Sequence, residues 1–76
     1  MSYGYSSMLV ERNKKADRSH LGVALGRKCI ARNIPVTYIS SQFGVSRMTI
    51  YNWFVGQHLP QAKYASAIAE FLKKLK

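Results

Sequence analysis

The 76 residues predict a single all-α domain, and three stretches carry that prediction. Leu21, Leu25 and Cys29 recur on one helical face, and Tyr64, Ile68, Phe71, Leu72 and Leu75 form a second stripe at helical spacing. Between them, two short apolar-periodic segments meet at Gly44. With 47% hydrophobic residues the chain can fill one small core, and it is too short to fill two.

Residues 1–18, MSYGYSSMLVERNKKADR, open on a mixture of Ser, Gly and Tyr with no helical or strand period. They are expected to form a flexible basic N-terminal arm, leaving residues 19–76 as the domain. Met8, Leu9 and Val10 interrupt the arm with a short apolar patch suited to docking on the domain or pairing with a partner. Arg12, Lys14, Lys15 and Arg18 form a basic cluster, broken by Glu11 and Asp17. Two readings of it stand side by side: an arm lying along phosphates or entering a minor groove, and a solvated tail. Tyr3 and Tyr5 are of a type that stacks on bases.

A first helix is predicted over residues 19–32, with Ser19 as its N-cap and with Ala24 and Ile30 widening the apolar face. Gly22 and Gly26 each cost about 1 kcal/mol of helix stability relative to Ala. Their i, i+4 spacing points to a place where another helix comes near. Arg27, Lys28 and Arg32 occupy the surface toward the helix end, where positive charge suits the dipole. Asn33 is a left-handed stop, Ile34 a staple, and Pro35 opens the next helix.

The central pair of helices is predicted over residues 35–43 and 47–55. Ile39 and Phe43 lie one turn apart, and small Ser40 leaves room for a neighbour. Gly44 supplies a left-handed backbone, Val45 plugs the turn, and Ser46 can cap the second helix with its hydroxyl. Ile50 and Trp53 then face the core, which leaves Arg47, Met48, Thr49, Tyr51 and Asn52 pointing outward. Gly56 and Pro60 stop the helix. This is the pattern of a helix-turn-helix.

The run Gly44, Val45, Ser46, Ile50, Trp53, Gly56, Pro60 resembles the helix-turn-helix of the lambda-repressor/Cro-like (XRE-like) family of bacterial and phage transcription regulators. The resemblance implies a compact bundle of four or five helices whose second motif helix reads the DNA major groove. It covers about a third of the chain strongly and the rest loosely. The chain departs from the family pattern at Val36, where a Gln is common, and at Phe54, where an acidic residue is common.

After Gly56, Leu59 is expected to tuck inward and His58 to lie at the surface. The last helix is predicted over residues 61–75, its propensity raised by Ala62, Ala65, Ala67 and Ala69. Lys73, Lys74 and Lys76 complement the dipole at its end. The far end of its apolar stripe is also a candidate dimer interface.

Twelve Lys and Arg against three acidic residues give a formal charge of +9, which suits a polyanionic partner, and nucleic acid is the commonest inside a cell. For double-stranded DNA, Arg47 can form a bidentate pair with guanine and Asn52 with adenine. Thr49 and Met48 can cover a thymine methyl or supply a hydroxyl, and Tyr51 can reach a base or a phosphate. Thr37, Ser46, Gln57, His58 and Lys63 are the expected phosphate contacts, several of them at helix starts that already favour an anion. The function expected is a sequence-specific repressor-like regulator, acting as a homodimer on a two-fold site or by tandem binding.

The alternative is a protein-binding module on the same fold, directed at RNA polymerase or another regulator. The second motif helix carries one charge, Arg47, and displays Met48, Tyr51 and, on this reading, Phe54.

An enzyme is not expected. No nucleophile–base pair or phosphate-cradling glycine loop is present, and the carboxylates Glu11, Asp17 and Glu70 are scattered. Nor is a cofactor or metal expected: Cys29 is the only cysteine, His20 and His58 lack ligand spacing, and Cys29 reads as a small core hydrophobe. No apolar run approaches the roughly 20 residues that span a bilayer. The N-terminus does not read as a signal peptide, so a cytoplasmic protein is expected.

Overall fold

A computed structural model of the chain describes residues 5–75. Five helices follow in order: α1 (Ser7–Lys15), α2 (Leu21–Ala31), α3 (Val36–Phe43), α4 (Arg47–Phe54) and α5 (Ala62–Lys74). Among the described residues there is no strand. The chain is all-α, with the five helices gathered round one core of Leu25, Cys29, Val36, Ile39, Ile50, Trp53, Phe54 and Ile68, joined by Tyr5.

The main departure from the sequence reading is α1. Of the arm expected over residues 1–18, residues 1–4 lie outside the described residues, and Ser7–Lys15 is a helix packed on α2. Ser6 caps it by accepting the Leu9 N–H at 3.1 Å. Leu9 and Val10 pack against the core, whereas Met8 stays 73% exposed. The central core-facing position is polar: Asn13 is buried, and its Nδ2 donates to the Phe54 carbonyl at 2.6 Å and to the Val23 carbonyl at 3.2 Å. Arg27 completes the attachment, donating from Nε to Asn13 Oδ1 at 3.3 Å and from Nη2 to the Asn13 carbonyl at 3.0 Å and the Lys14 carbonyl at 3.2 Å. The Lys14 carbonyl at the end of α1 thereby finds a donor outside the helix, and the Asn13 carbonyl, which already accepts the Ala16 N–H at 3.2 Å, gains a second. Arg27, expected on the surface of α2, is instead half-buried against α1.

Tyr5 also differs from expectation. It is 6% exposed, its hydroxyl donates to the Ile34 carbonyl, and its ring lies 6.3 Å from that of Phe54, so it is not available to stack on a base. Tyr3 lies outside the described residues.

Before α2, Ser19 does not cap. Its N–H donates to Asp17 Oδ1 at 2.9 Å, and His20 holds the cap position. That N–H, followed by the Ser19 side chain, holds the exposed Asp17 carboxyl below its ordinary range. Asn33 takes the left-handed conformation (φ 56°), and the Ile34 N–H returns to the Cys29 carbonyl at 2.9 Å.

The α2–α4 seam is closed by Gly22 and Gly26. A Cβ on Gly22 would stand 2.8 Å from the Trp53 Cβ, and one on Gly26 would stand 2.7 Å from the Phe54 Cγ and 2.8 Å from Asn13 Nδ2. Only hydrogen fits there, because cores have no spare volume for a methyl group. Gly44 is a glycine for a different reason. A Cβ would meet nothing within 4 Å, so its φ of 65° alone sets the requirement.

Rings attach α5. Phe71 lies 6.4 Å from Tyr38 and 5.8 Å from Phe43, Phe43 meets Trp53 edge-on at 6.1 Å, and Trp53 meets Tyr64 at 5.4 Å. Ile68 is fully buried beneath them. Leu59, expected to tuck inward, is instead 57% exposed, because Trp53 and Tyr64 already close the side of the core it would enter.

Candidate nucleic-acid interface

Helix α4 is displayed by its own start. Ser46 lies in the three-residue turn after α3, and its Oγ accepts the Thr49 N–H at 3.1 Å while contacting Thr49 Oγ1 at 3.0 Å. One free donor of the first turn is satisfied by that cap. Ile50, Trp53 and Phe54 then anchor the helix inward. Phe54, read from the sequence as an exposed interface residue, has no exposure. It fills the space above Gly26 that the missing Cβ leaves open.

The five expected base-reading residues divide. Arg47 is exposed, Met48 is 67% exposed and Tyr51 is 37% exposed, whereas Thr49 and Asn52 are half-buried at the edges of the outward face. Thr49 already shares its hydroxyl with Ser46, so it serves the cap as well as the surface. The backbone carbonyl of Asn52 accepts from the N–H groups of Gln57 and His58, which ties the outgoing loop to α4.

Polar groups flank this face on both sides. On one side Thr37 and Arg47 line a hollow with Asn33 and Tyr51. On the other, Thr49, His58, Leu59 and Lys63 line a hollow against Trp53. The ammonium of Lys63 sits 5.2 Å from the centre of the Tyr64 ring, which holds the charge beside α4. Ser46, Thr37, Gln57, His58 and Lys63 are all exposed. The expected phosphate set therefore surrounds α4 and is not gathered at one point.

The basic cluster of residues 12–18 is split by α1. Arg12 lines a hollow with Met8 and Tyr51, and its Nη2 donates to Gln57 Oε1 at 3.4 Å. Lys14 lines a different hollow, with Val10, Arg27 and Ala31. Lys15 and Arg18 are exposed. Sequence reasoning missed Asn13 and Arg27, which hold α1 in place. The available signal was that Asn13 falls four residues after Leu9 and three after Val10, the spacing of a single helix face.

Charge reinforces the geometry. None of the three carboxylates falls between residues 18 and 69, so α2, α3, α4 and the following loop contain no acid, while Arg27 and Lys28 in α2 and Arg47 in α4 are cations. Among the described residues, no group of three His, Cys, Asp or Glu side chains could hold a metal, and no helix is long and apolar enough to cross a membrane. Cys29 is buried, and loss of solvent pushes its thiol up to about 12, which keeps it protonated and unreactive at neutral pH.

Compared with protein-family models, curated proteins and solved structures, the chain finds no match.

Proposed function

We propose that the chain is a sequence-specific double-stranded DNA-binding regulator, repressor-like and of the lambda-repressor/Cro-like kind, that places α4 in the major groove. One observation carries this reading: the outward face of α4 is open, free of carboxylates and bordered on both sides by polar or cationic groups. A helix about 10–12 Å across fills a major groove about 12 Å wide, so whatever flanks it meets a phosphate backbone on each side. Thr37 on one side and His58 and Lys63 on the other suit those positions, with Ser46 and Gln57 at the helix ends.

Within the groove, Arg47 supplies a bidentate donor pair for guanine O6 and N7, and Asn52 supplies a donor and an acceptor for adenine. Met48 and Thr49 cover a thymine methyl, and Tyr51 reaches sugar or phosphate. Regulation then follows from occupancy, by a bacterial or phage protein working in the cytoplasm. A homodimer on a two-fold site supplies the specificity that one short helix lacks.

A second reading draws on the apolar strip formed by Met8, Tyr51 and Met48, each exposed on or beside α4. Met and aromatic residues around an Arg are a composition suited to a protein partner such as RNA polymerase or another regulator.

Selection of bound duplexes from a random pool, followed by salt titration, separates the two. On the DNA reading a common sequence emerges and affinity falls steeply with salt. Arg47→Ala then costs about 1–3 kcal/mol and relaxes preference at one base position. Failure to bind any duplex at low salt would remove the DNA reading and leave the protein-partner one.

A further inference from the structure

We infer that α1 is a fixed second wall of the DNA-contacting surface, on which Arg12 holds a backbone phosphate while Lys14, two residues away, takes no part. The inference rests on the DNA reading of α4 and adds a contact outside the helix-turn-helix.

Helical geometry separates the two cations. Two residues along an α-helix turn the side chain by roughly 200°, so Arg12 and Lys14 leave α1 on opposite sides of Asn13. Asn13 points into the core between them, bonded to α4 through the Phe54 carbonyl and to α2 through the Val23 carbonyl. Arg12 therefore falls on the α4 side, sharing a hollow with Tyr51 and meeting Gln57 just past the end of α4. Lys14 falls on the α2 side, beside Val10, Arg27 and Ala31. Glu11 lies roughly 100° further round from Arg12, away from α4, so its carboxylate does not enter the hollow.

The chemistry of the Arg12 site suits an anion. The guanidinium is exposed, and among the described residues its side-chain bond is to the neutral Gln57 carbonyl, which brings no opposing charge to it. Gln57 aims the group along the flank of α4, where a strand of a groove-bound duplex passes. Because Tyr5, Asn13 and Arg27 pin α1 to the domain, the arginine is presented without the ordering cost that a loose arm would incur on binding.

The test compares the full-length chain with Arg12→Ala and Lys14→Ala on one selected duplex, across a salt series. Both residues are exposed and both variants remove one positive charge, so each controls for the other's bulk electrostatic effect. Arg12→Ala is expected to weaken binding on the order of tenfold and to reduce the slope of log K against log salt by about one. Lys14→Ala is expected to stay within about twofold of the wild type with its slope unchanged, since a cation that touches no phosphate releases no counterion. Equal losses for the two variants, with wild-type binding intact, would overturn the placement of Arg12 and leave the DNA reading standing. Absence of duplex binding by the wild type would instead remove the DNA reading and this inference with it.

Discussion

The two terminal helices are attached to the same core by opposite chemistry. Helix α5 is held by rings and aliphatic carbon: Phe71, Tyr64 and Ile68 against Tyr38, Phe43 and Trp53. Helix α1 adds to Leu9 and Val10 a set of directional bonds, from Asn13 to Phe54 and Val23, from Arg27 to Asn13 and Lys14, and from Tyr5 to Ile34. The carbon attachment tolerates small shifts and is strong in aggregate, whereas the polar one fixes position and fails when a single partner goes. That contrast makes α1 the element whose placement specific bonds determine and α5 the element that mainly supplies burial.

The contrast can be broken at either end. Ile68→Ala should cost the most, about 2–5 kcal/mol, because it empties a fully buried site under α5; urea denaturation reads it directly. Asn13→Ala should cost about 1–3 kcal/mol, since the Phe54 and Val23 carbonyls lose a donor and Arg27 loses an acceptor. Hydrogen exchange should then rise in α1 before the other helices. If Asn13→Ala proves milder than an exposed substitution, the polar attachment is not what holds α1.

Alkali should weaken the fold through two buried groups, Tyr5 just before α1 and Cys29 in α2. Burial, followed by the nearby Cys29 and Tyr51, pushes the Tyr5 phenol far above its ordinary 10.0, and burial pushes the Cys29 thiol from 9.0 up to about 12. Both groups are protonated in the fold and ionise more readily in the unfolded chain. The stability they confer is complete below pH 9.0 and is lost as pH rises toward about 12, at up to ~1.4 kcal/mol per pH unit for each group. Melting curves taken at stepped pH should show this loss, and a Cys29→Ala variant should lack the portion between pH 9 and pH 10. The smallest effect belongs to Leu59→Ser. Expected within about 0.5 kcal/mol of the wild type by the same melts, it checks that α5 is held by its rings and owes nothing to this exposed leucine.

The same contrast explains what the sequence revealed. Helices α2 to α5 were legible to within a residue or two, because apolar spacing marks their inner faces and Asn33, Pro35, Gly44 and Ser46 fix the turns through local torsions and caps. Helix α1 was not, because its innermost residue is an Asn and a hydrophobic count passes over it. The Gly22 and Gly26 spacing announced a close approach but not its partner, which only the packing of α4 identifies as Trp53 and Phe54.

At the candidate site, Arg47, Met48 and Tyr51 were placed outward correctly by their angular distance from Ile50 and Trp53. Thr49 and Asn52 sit at the boundary of the buried arc, where angle alone does not fix exposure. Phe54 and Leu59 were misplaced because each depends on which neighbour reaches the core first. The division between Arg12 and Lys14 required the helix that carries them.

The side-chain amide of Asn13 stoppers the last carbonyl of α4 from outside the motif. A fragment cut to begin at residue 19 would leave α4 with an unplugged end and Phe54 without the Tyr5 ring beside it. The helix-turn-helix segment thus leans on a helix that precedes it, and excising that segment alone leaves the Phe54 carbonyl without its side-chain donor.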